Sequence, residues 1–207
     1  MTQYFKVHPV NPQKRLLERA AAMVREGAII VYPTDSTYAL GWHIGDKAAL
    51  ERVRRIRQTE RDHDFTLVCR DLSEIANYAR VDNWVYRLLR SLTPGPYTFI
   101  LRATHEVPKR LQDPKRRSIG IRVPGNVVAR ALLEELGEPL MSSTLLLPEE
   151  PLPMTDPEEI RDRLGKVVDL VLDGGAGGVE PTSVLDLSRD GVSVLRHGKG
   201  DVSAFED

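Results

Sequence analysis

The amino-acid sequence predicts one α/β domain built on a mixed sheet, and three observations carry that prediction. Segments of helical periodicity are intermixed with short apolar runs of the kind that form strands. Several of these strands follow one another with no helix between them, which is incompatible with a regular doubly wound sheet. No Pro/Gly/Ser-rich linker divides the 207 residues, a length suited to one substantial domain.

Taken in order, Asn11 to Glu26 places Leu16, Leu17, Ala20, Ala21 and Val24 at helical spacing, with Gly27 as a C-terminal cap. Ala28 to Tyr32 reads as a buried strand. It must stop at Pro33, which donates no hydrogen bond. Thr34-Asp35-Ser36-Thr37-Tyr38 then gives four hydroxyls and a carboxylate in five residues. A strand ending in small polar side chains can present a site at a sheet edge, although hydroxyl-rich strand exits are also ordinary loops. Asp46 is placed to cap a helix that buries Leu50, Val53 and Ile56, and Phe65 to Cys69 reads as a strand.

Asp71-Leu72-Ser73-Glu74 has capping-box spacing and opens a helix with the stripe Leu72, Ile75, Ala76 and Ala79. Val81, Val85, Leu88, Leu89 and Leu92 mark the next helix, capped by Asp82. Thr93-Pro94-Gly95-Pro96 breaks the chain before a strand from Tyr97 to Leu101. Ile119, Ile121 and Val123 alternate with Gly120 and Arg122, as expected of a half-buried strand. Asn126 to Leu136 is helical up to Gly137, Leu140 to Ser143 is a short strand, and Pro148 to Pro153 is a loop. Asp156-Pro157-Glu158-Glu159 caps a helix reaching about Leu164. Val168 to Leu172, Val184 to Leu187 and Val192 to Arg196 are the closing strands.

Composition narrows the function classes. The net charge of −1 gives no global attraction to nucleic acid, so any such affinity must be local. The single Cys69 excludes an internal disulfide framework, fits a reducing, cytoplasmic setting, and ends an apolar run where packing outweighs catalysis. No apolar run approaches the roughly 20 residues of a membrane span, and the first residues lack a signal-peptide pattern.

The histidines are scattered without metal-ligand spacing, so no metal site is expected, and there is no Gly-x-Ser-x-Gly elbow. Asp173-Gly174-Gly175-Ala176-Gly177-Gly178 lacks the Gly-Lys-Ser/Thr and following helix of a phosphate loop and reads as a turn between strands. Two cation clusters stand out: Arg52, Arg54, Arg55, Arg57 and Arg61, and then Lys109, Arg110, Lys115, Arg116 and Arg117. Each is either a solvated surface or a place for phosphates. Arg54, Arg57 and Arg61 share one helix face if the helix continues that far, which makes them the candidate RNA-binding set.

Together these stretches resemble the YrdC/YciO family of threonylcarbamoyl-AMP synthase-like proteins. Pro33-Thr34-Asp35-Ser36-Thr37-Tyr38-Ala39-Leu40-Gly41 is similar to the family's Pro-Thr-Glu-Thr-x-Tyr-Gly-Leu-Gly. Pro94-Gly95-Pro96-Tyr97-Thr98 matches its Pro-Gly-Pro-x-Thr, and Ile121-Arg122-Val123-Pro124 its Val-Arg-x-Pro. Asp173-Gly174-Gly175, Thr182-Ser183-Val184 and Leu195-Arg196-His197-Gly198 match its closing segments. The matches keep their order from about residue 14 to 200, which sets the core of a single domain spanning 1–207.

The resemblance implies a twisted sheet with a concave, positively lined cavity that holds ATP, Mg2+, threonine and bicarbonate. In the synthases a threonine carbamate attacks the α-phosphate, pyrophosphate leaves, and the adenylate serves tRNA modification. By resemblance, Thr34, Ser36, Tyr38 and Ser183 would surround the amino acid, and Arg122, Ser142, Thr144 and Arg196 the nucleotide. Two departures place the chain in the YciO-like branch. The synthases' catalytic Lys-x-Arg corresponds to Arg57-Gln58-Thr59 when anchored on Ile56, or to Arg55-Ile56-Arg57 after a two-residue slide. Their Ser-x-Asn corresponds to Thr144-Leu145-Leu146. Losing two hydrogen bonds to charged groups would cost about 3–6 kcal/mol if additive. The leading expectation is therefore an ATP- or adenylate-binding nucleotidyltransferase of weak or altered activity. The rival expectation is a non-catalytic protein that binds double-stranded RNA or tRNA on a basic concave face.

Overall fold

The computed structural model describes residues 1–59, 65–148 and 150–206, and these form a single-domain α/β fold. Ten strands make one mixed sheet flanked by helices. Strand β1 (Gln3–Lys6) lies at one edge, parallel to β8 (Leu170–Asp173). β8 is in turn parallel to β2 (Ile30–Tyr32), which runs antiparallel to β3 (Ala39–His43). Next come β7 (Leu140–Thr144), β4 (Thr66–Val68) and β6 (Ser118–Arg122), with β4 and β6 parallel. β5 (Tyr97–Arg102), β9 (Ser183–Asp186) and β10 (Ser193–Arg196) complete the sheet.

Strand parity divides the interior into two layers. Leu67, Phe99, Leu101, Ile119, Ile121 and Leu185 point to one face. There they meet α2 (Lys47–Arg57), α3 (Leu72–Tyr78), α4 (Asn83–Leu92) and α6 (Pro157–Leu164), whose Leu50, Val53, Ile75, Leu89 and Ile160 belong to the same cluster. On the other face, Ile30, Tyr32, Leu140, Leu170 and Leu172 are covered by α1 (Lys14–Arg25) and α5 (Val127–Leu136). These two helices pack on the β1-β8-β2 side and leave the same face of β4, β6, β5 and β9 open. That uncovered half-sheet is the floor of the site.

Most predicted caps form. The side chains of Asp46, Asp71, Asn126 and Asp156 each accept a backbone N–H of the following helical turn. Asp82 occupies its N-cap position without a side-chain bond, and Gly137 ends α5 at φ +71°. Three readings need correction. β1 and β3 were not expected as strands. β3 directly follows the Thr34–Tyr38 loop, in a stretch to which no element was assigned, and it is buried between β2 and β7. In α3 Ala76 is exposed, and Glu74 is buried instead. Glu74 does not reach back to Asp71 as a capping box would; its carboxylate accepts the Arg70 amide at 2.6 Å. β6 is buried throughout rather than half-buried, because Gly120 and Arg122 face the cavity.

Cys69 is fully buried. Burial, then the nearby Glu74 and Asp71 carboxylates, push its thiol well above the ordinary range, so it packs as an inert side chain. Among the described residues no helix is long and apolar enough to cross a membrane.

Candidate functional site

The open half-sheet carries a cavity of about 500 Å³. Strand alternation supplies its floor. Thr66 of β4, Thr98 and Ile100 of β5, Gly120 and Arg122 of β6, Ser142 and Thr144 of β7, and Val184 of β9 all line it, while Leu67, Phe99, Leu101, Ile119, Ile121, Met141 and Leu185 between them face the core. The wall formed by β10 breaks this alternation. The register between β9 and β10 shifts between Val194 and Arg196, and the irregularity brings both Leu195 and Arg196 to the cavity.

The charged side chains lining the cavity are Arg57, Arg122 and Arg196. Arg57 is the last residue of α2, and its guanidinium donates to the Thr144 carbonyl and, at 3.2 Å, to Ser143 Oγ. Burial lowers its pKa, and its Nε is buried without a partner among the described residues. Arg122 lies at the end of β6 and is ion-paired with Asp35. The second oxygen of Asp35 accepts the Gly125 amide at 2.8 Å, and its backbone carbonyl accepts Lys199 Nζ at 2.6 Å. Arg122 is 8% exposed, and its Nε also has no partner among the described residues. Arg196 is held by Thr182, whose carbonyl and hydroxyl accept its Nε and Nη2 at 2.9 and 3.0 Å. Partial burial, and then the charge of Arg122, lower the Arg196 pKa. Two guanidinium groups facing one cavity, one of them with a donor left over among the described residues, suit a polyanion between them.

The predicted residues fall into two groups. Arg57, Arg122, Ser142, Thr144 and Arg196 come together on the cavity wall. Ser142 is fixed there by Leu40, whose carbonyl accepts its hydroxyl at 3.1 Å, and by the Tyr32 hydroxyl 2.7 Å away. The Tyr32 phenol is buried and pushed up to about 12, so it stays protonated.

The other group is committed elsewhere. Thr34 Oγ donates to the Thr37 carbonyl at 2.6 Å and accepts the amides of Ser36 and Thr37, closing a hydroxyl turn. Ser36 is buried within that turn, and Thr37 lines the cavity in place of both. The Tyr38 ring is wholly buried. Its hydroxyl donates to the Gly175 carbonyl at 2.7 Å and accepts the Gly174 amide, and burial pushes its pKa to about 12. This bond closes the glycine-rich turn onto the sheet, and a Cβ at Gly177 would sit 2.6 Å from the Tyr38 ring. Ser183 Oγ donates to the Gly200 carbonyl and accepts the Gly198 amide, which ties β9 to the closing segment.

Thr59 is not on the cavity wall; among the described residues its buried hydroxyl has no partner. The candidate RNA face does not form as expected, because α2 ends at Arg57 and Gln58 turns left-handed at φ 49°. Arg54 pairs with Glu51 at 2.6 Å and lies over the Phe65 ring, Arg57 faces the cavity, and Arg61 lies outside the described residues.

Sequence reasoning missed Thr37, Thr66, Thr98 and Thr182. The last two hydroxyls lie 2.8 Å apart across β5 and β9. The one available signal in β5 was Thr98, a hydroxyl inside the otherwise apolar or aromatic run Tyr97 to Leu101. The mouth is apolar: Leu152, Val179 and Leu195 are exposed there beside Leu146.

Comparison with known proteins gives concordant results. The Sua5/YciO/YrdC family model, described as Telomere recombination, matches residues 22–198. The protein named YciO of Escherichia coli (strain K12) is 56% identical over 205 residues, covering 99% of this chain and all of that one. A threonylcarbamoyl-AMP synthase of Stenotrophomonas maltophilia (strain K279a) is 30% identical over 174 residues, 82% of this chain and 92% of that protein. Among solved structures, E. coli YciO superposes with a TM-score of 0.95 at 55% identity over the whole of both chains. P. abyssi Sua5 complexed with L-threonine superposes at 0.87 and 22% identity over 95% of this chain and 58% of that one, a likeness of fold.

Proposed function

The chain belongs to the Sua5/YciO/YrdC family, and from that premise we propose that its half-sheet cavity binds ATP and supports weak or altered adenylyl transfer linked to threonylcarbamoyl modification of tRNA. The observation that carries this reading is the pair Arg122 and Arg196. Both line the cavity, burial and then the charge of Arg122 lower the Arg196 pKa, and among the described residues the buried Arg122 Nε has no partner. A triphosphate supplies the charge and the acceptors that this pair lacks. Among the described residues no acidic side chain lines the cavity, so Mg2+ would arrive with the nucleotide, held by phosphate oxygens and water.

In this reading the amine of threonine attacks the carbon of bicarbonate, a C–O bond breaks, and the carbamate forms as water leaves. A carbamate oxygen attacks the α-phosphorus, the bond to the β-phosphate breaks, and pyrophosphate leaves with the electron pair. The chain's contribution is positioning and charge. Arg57, Arg122 and Arg196 offset phosphate charge in a partly dry site, while Ser142 and Thr98 offer hydroxyls along the floor. Leu146 stands on the wall where the synthases carry asparagine, which supports slow turnover or a changed amine substrate. The test is pyrophosphate release from ATP, Mg2+ and bicarbonate with each candidate amine. Release that depends on one amine names the reaction, and no release with any amine removes the catalytic reading.

A second reading, binding of double-stranded RNA or tRNA, is favoured by the exposed Lys109, Arg110, Lys115, Arg116 and Arg117 rather than by α2. Replacing Lys109, Lys115 and Arg117 with alanine should flatten the log–log salt dependence of RNA affinity by about 2–3 units. An unchanged slope removes this cluster from the interface.

A further inference from the structure

A second, larger cavity of about 720 Å³ lies on the helical face of the sheet, between α2 and the end of α6. It shares no lining residue with the half-sheet cavity, although the two are neighbours along the chain. Arg57 and Leu146 line the first, while Ile56, Gln58 and Leu147 line the second. We propose that this second cavity is a separate binding site for an amphipathic organic phosphate, a small molecule with a phosphate head and an apolar body about the size of a fused aromatic ring.

The charge of the wall argues for the head. Arg52, Arg55, Arg163 and Lys166 line the cavity, and among the described residues no carboxylate does. Two of the four cations are pinned. Arg52 is 2.9 Å from Asp169 and donates to the Val167 carbonyl, and Arg163 is 2.7 Å from Glu150. Arg55 and Lys166 form no hydrogen bond or ion pair within the described residues. Unspent cations around a concavity raise the local concentration of multiply charged anions, and a guanidinium beside an ammonium matches the oxygens of a phosphate.

The floor argues for the body. Ile56, Leu147, Pro148, Leu164 and Val167 supply apolar surface between the cations. Val167 is 42% exposed and Ile56 and Leu147 are only partly covered. A bare phosphate ion would leave this surface wet, and a nucleic-acid backbone would not use it. The volume falls in the range of small-molecule sites, roughly 300–1,000 Å³.

The site also adjoins the first cavity mechanically. Its ligand would touch the last turn of α2 and the segment after β7, the two pieces that the Arg57 bond to the Thr144 carbonyl holds together. The proposal does not rest on ATP binding.

Calorimetry on the full chain with 1-naphthyl phosphate tests it, using inorganic phosphate and 1-naphthol as fragments. Naphthyl phosphate should bind more tightly than either fragment. The double variant Arg55→Glu/Lys166→Glu should lose about tenfold or more in affinity, while Arg196→Ala in the first cavity should change it by less than about twofold. Thermal unfolding checks both variants. If the charge reversal does not fold, Arg55→Gln/Lys166→Gln should show the same direction of loss. Equal affinity in wild type and the double variant overturns the proposal, as does a loss confined to Arg196→Ala, which would seat the probe in the first cavity. An acidic peptide containing phenylalanine that binds here more tightly than naphthyl phosphate overturns the ligand class.

Discussion

Arg122 and Asp35 form an ion pair at the edge of the half-sheet cavity, and the Gly125 amide holds the free oxygen of Asp35 at 2.8 Å. Asp35 therefore partly neutralises the cation best placed for phosphate. Asp35→Asn keeps an acceptor for Gly125 but leaves Arg122 without its counter-charge, which should lower stability by about 1–3 kcal/mol. ATP would then supply the missing charge, so the rise in Tm on adding ATP should be larger in the variant than in wild type. A smaller rise would mean that Asp35 assists nucleotide binding instead of competing with it.

Arg196→Ala removes the cation that Thr182 holds over the cavity. If that side chain meets a phosphate, ATP affinity should fall by about 1.5–3 kcal/mol, roughly tenfold to 150-fold. Calorimetric affinities that match in the two proteins would remove Arg196 from the nucleotide site.

Leu146 lines the cavity and Thr59 does not. Leu146→Asn alone should therefore raise amine-dependent pyrophosphate release, by about tenfold to 100-fold if the amide meets a charged group. Adding Thr59→Arg should bring no further gain. A gain that appears only in the double variant would place residue 59 at the reacting groups after all.

Burial raises the pKa of Glu74 above its ordinary value of 4.5, outweighing the Arg70 amide that favours its charge. The native state thus binds this proton more tightly than the unfolded chain does. The contribution is complete below pH 4.5 and is lost as pH rises through the raised value. Glu74→Gln keeps the acceptor for Arg70 and removes the titration. Its stability relative to wild type should climb across that window in urea denaturation at a series of pH values. A difference independent of pH would show that the Glu74 carboxylate is well solvated.

The helices were legible because their signals are local: caps at Asp46, Asp71, Asn126 and Asp156, and an apolar residue every third or fourth position. β3 was hidden because Ala39-Leu40-Gly41-Trp42-His43 has no β-branched residue, and its conformation comes from pairing with β2 and β7. β1 is four residues long and is held by β8, about 165 residues away. The site divides along the same line. Arg122 and Arg196 were found through motifs, and the structure brings them to one wall. Tyr38 and Ser183 were read as ligand contacts because nothing near them in the chain shows that Gly174, Gly175, Gly198 and Gly200 take up their hydroxyls.

Each strand beneath the cavity carries two independent texts on alternate residues. Phe99, Leu101, Ile119 and Ile121 are locked into the close-packed layer below, where one lost methylene is felt. Thr98, Ile100, Gly120 and Thr66, interleaved with them, line the cavity on the opposite face, where a changed side chain first meets its neighbours in the floor rather than that layer. A lineage can therefore rewrite what the floor recognises without endangering the scaffold. An inherited synthase frame could in this way pass to another amine, another nucleotide or no turnover at all, its folding still governed by residues that never meet a ligand.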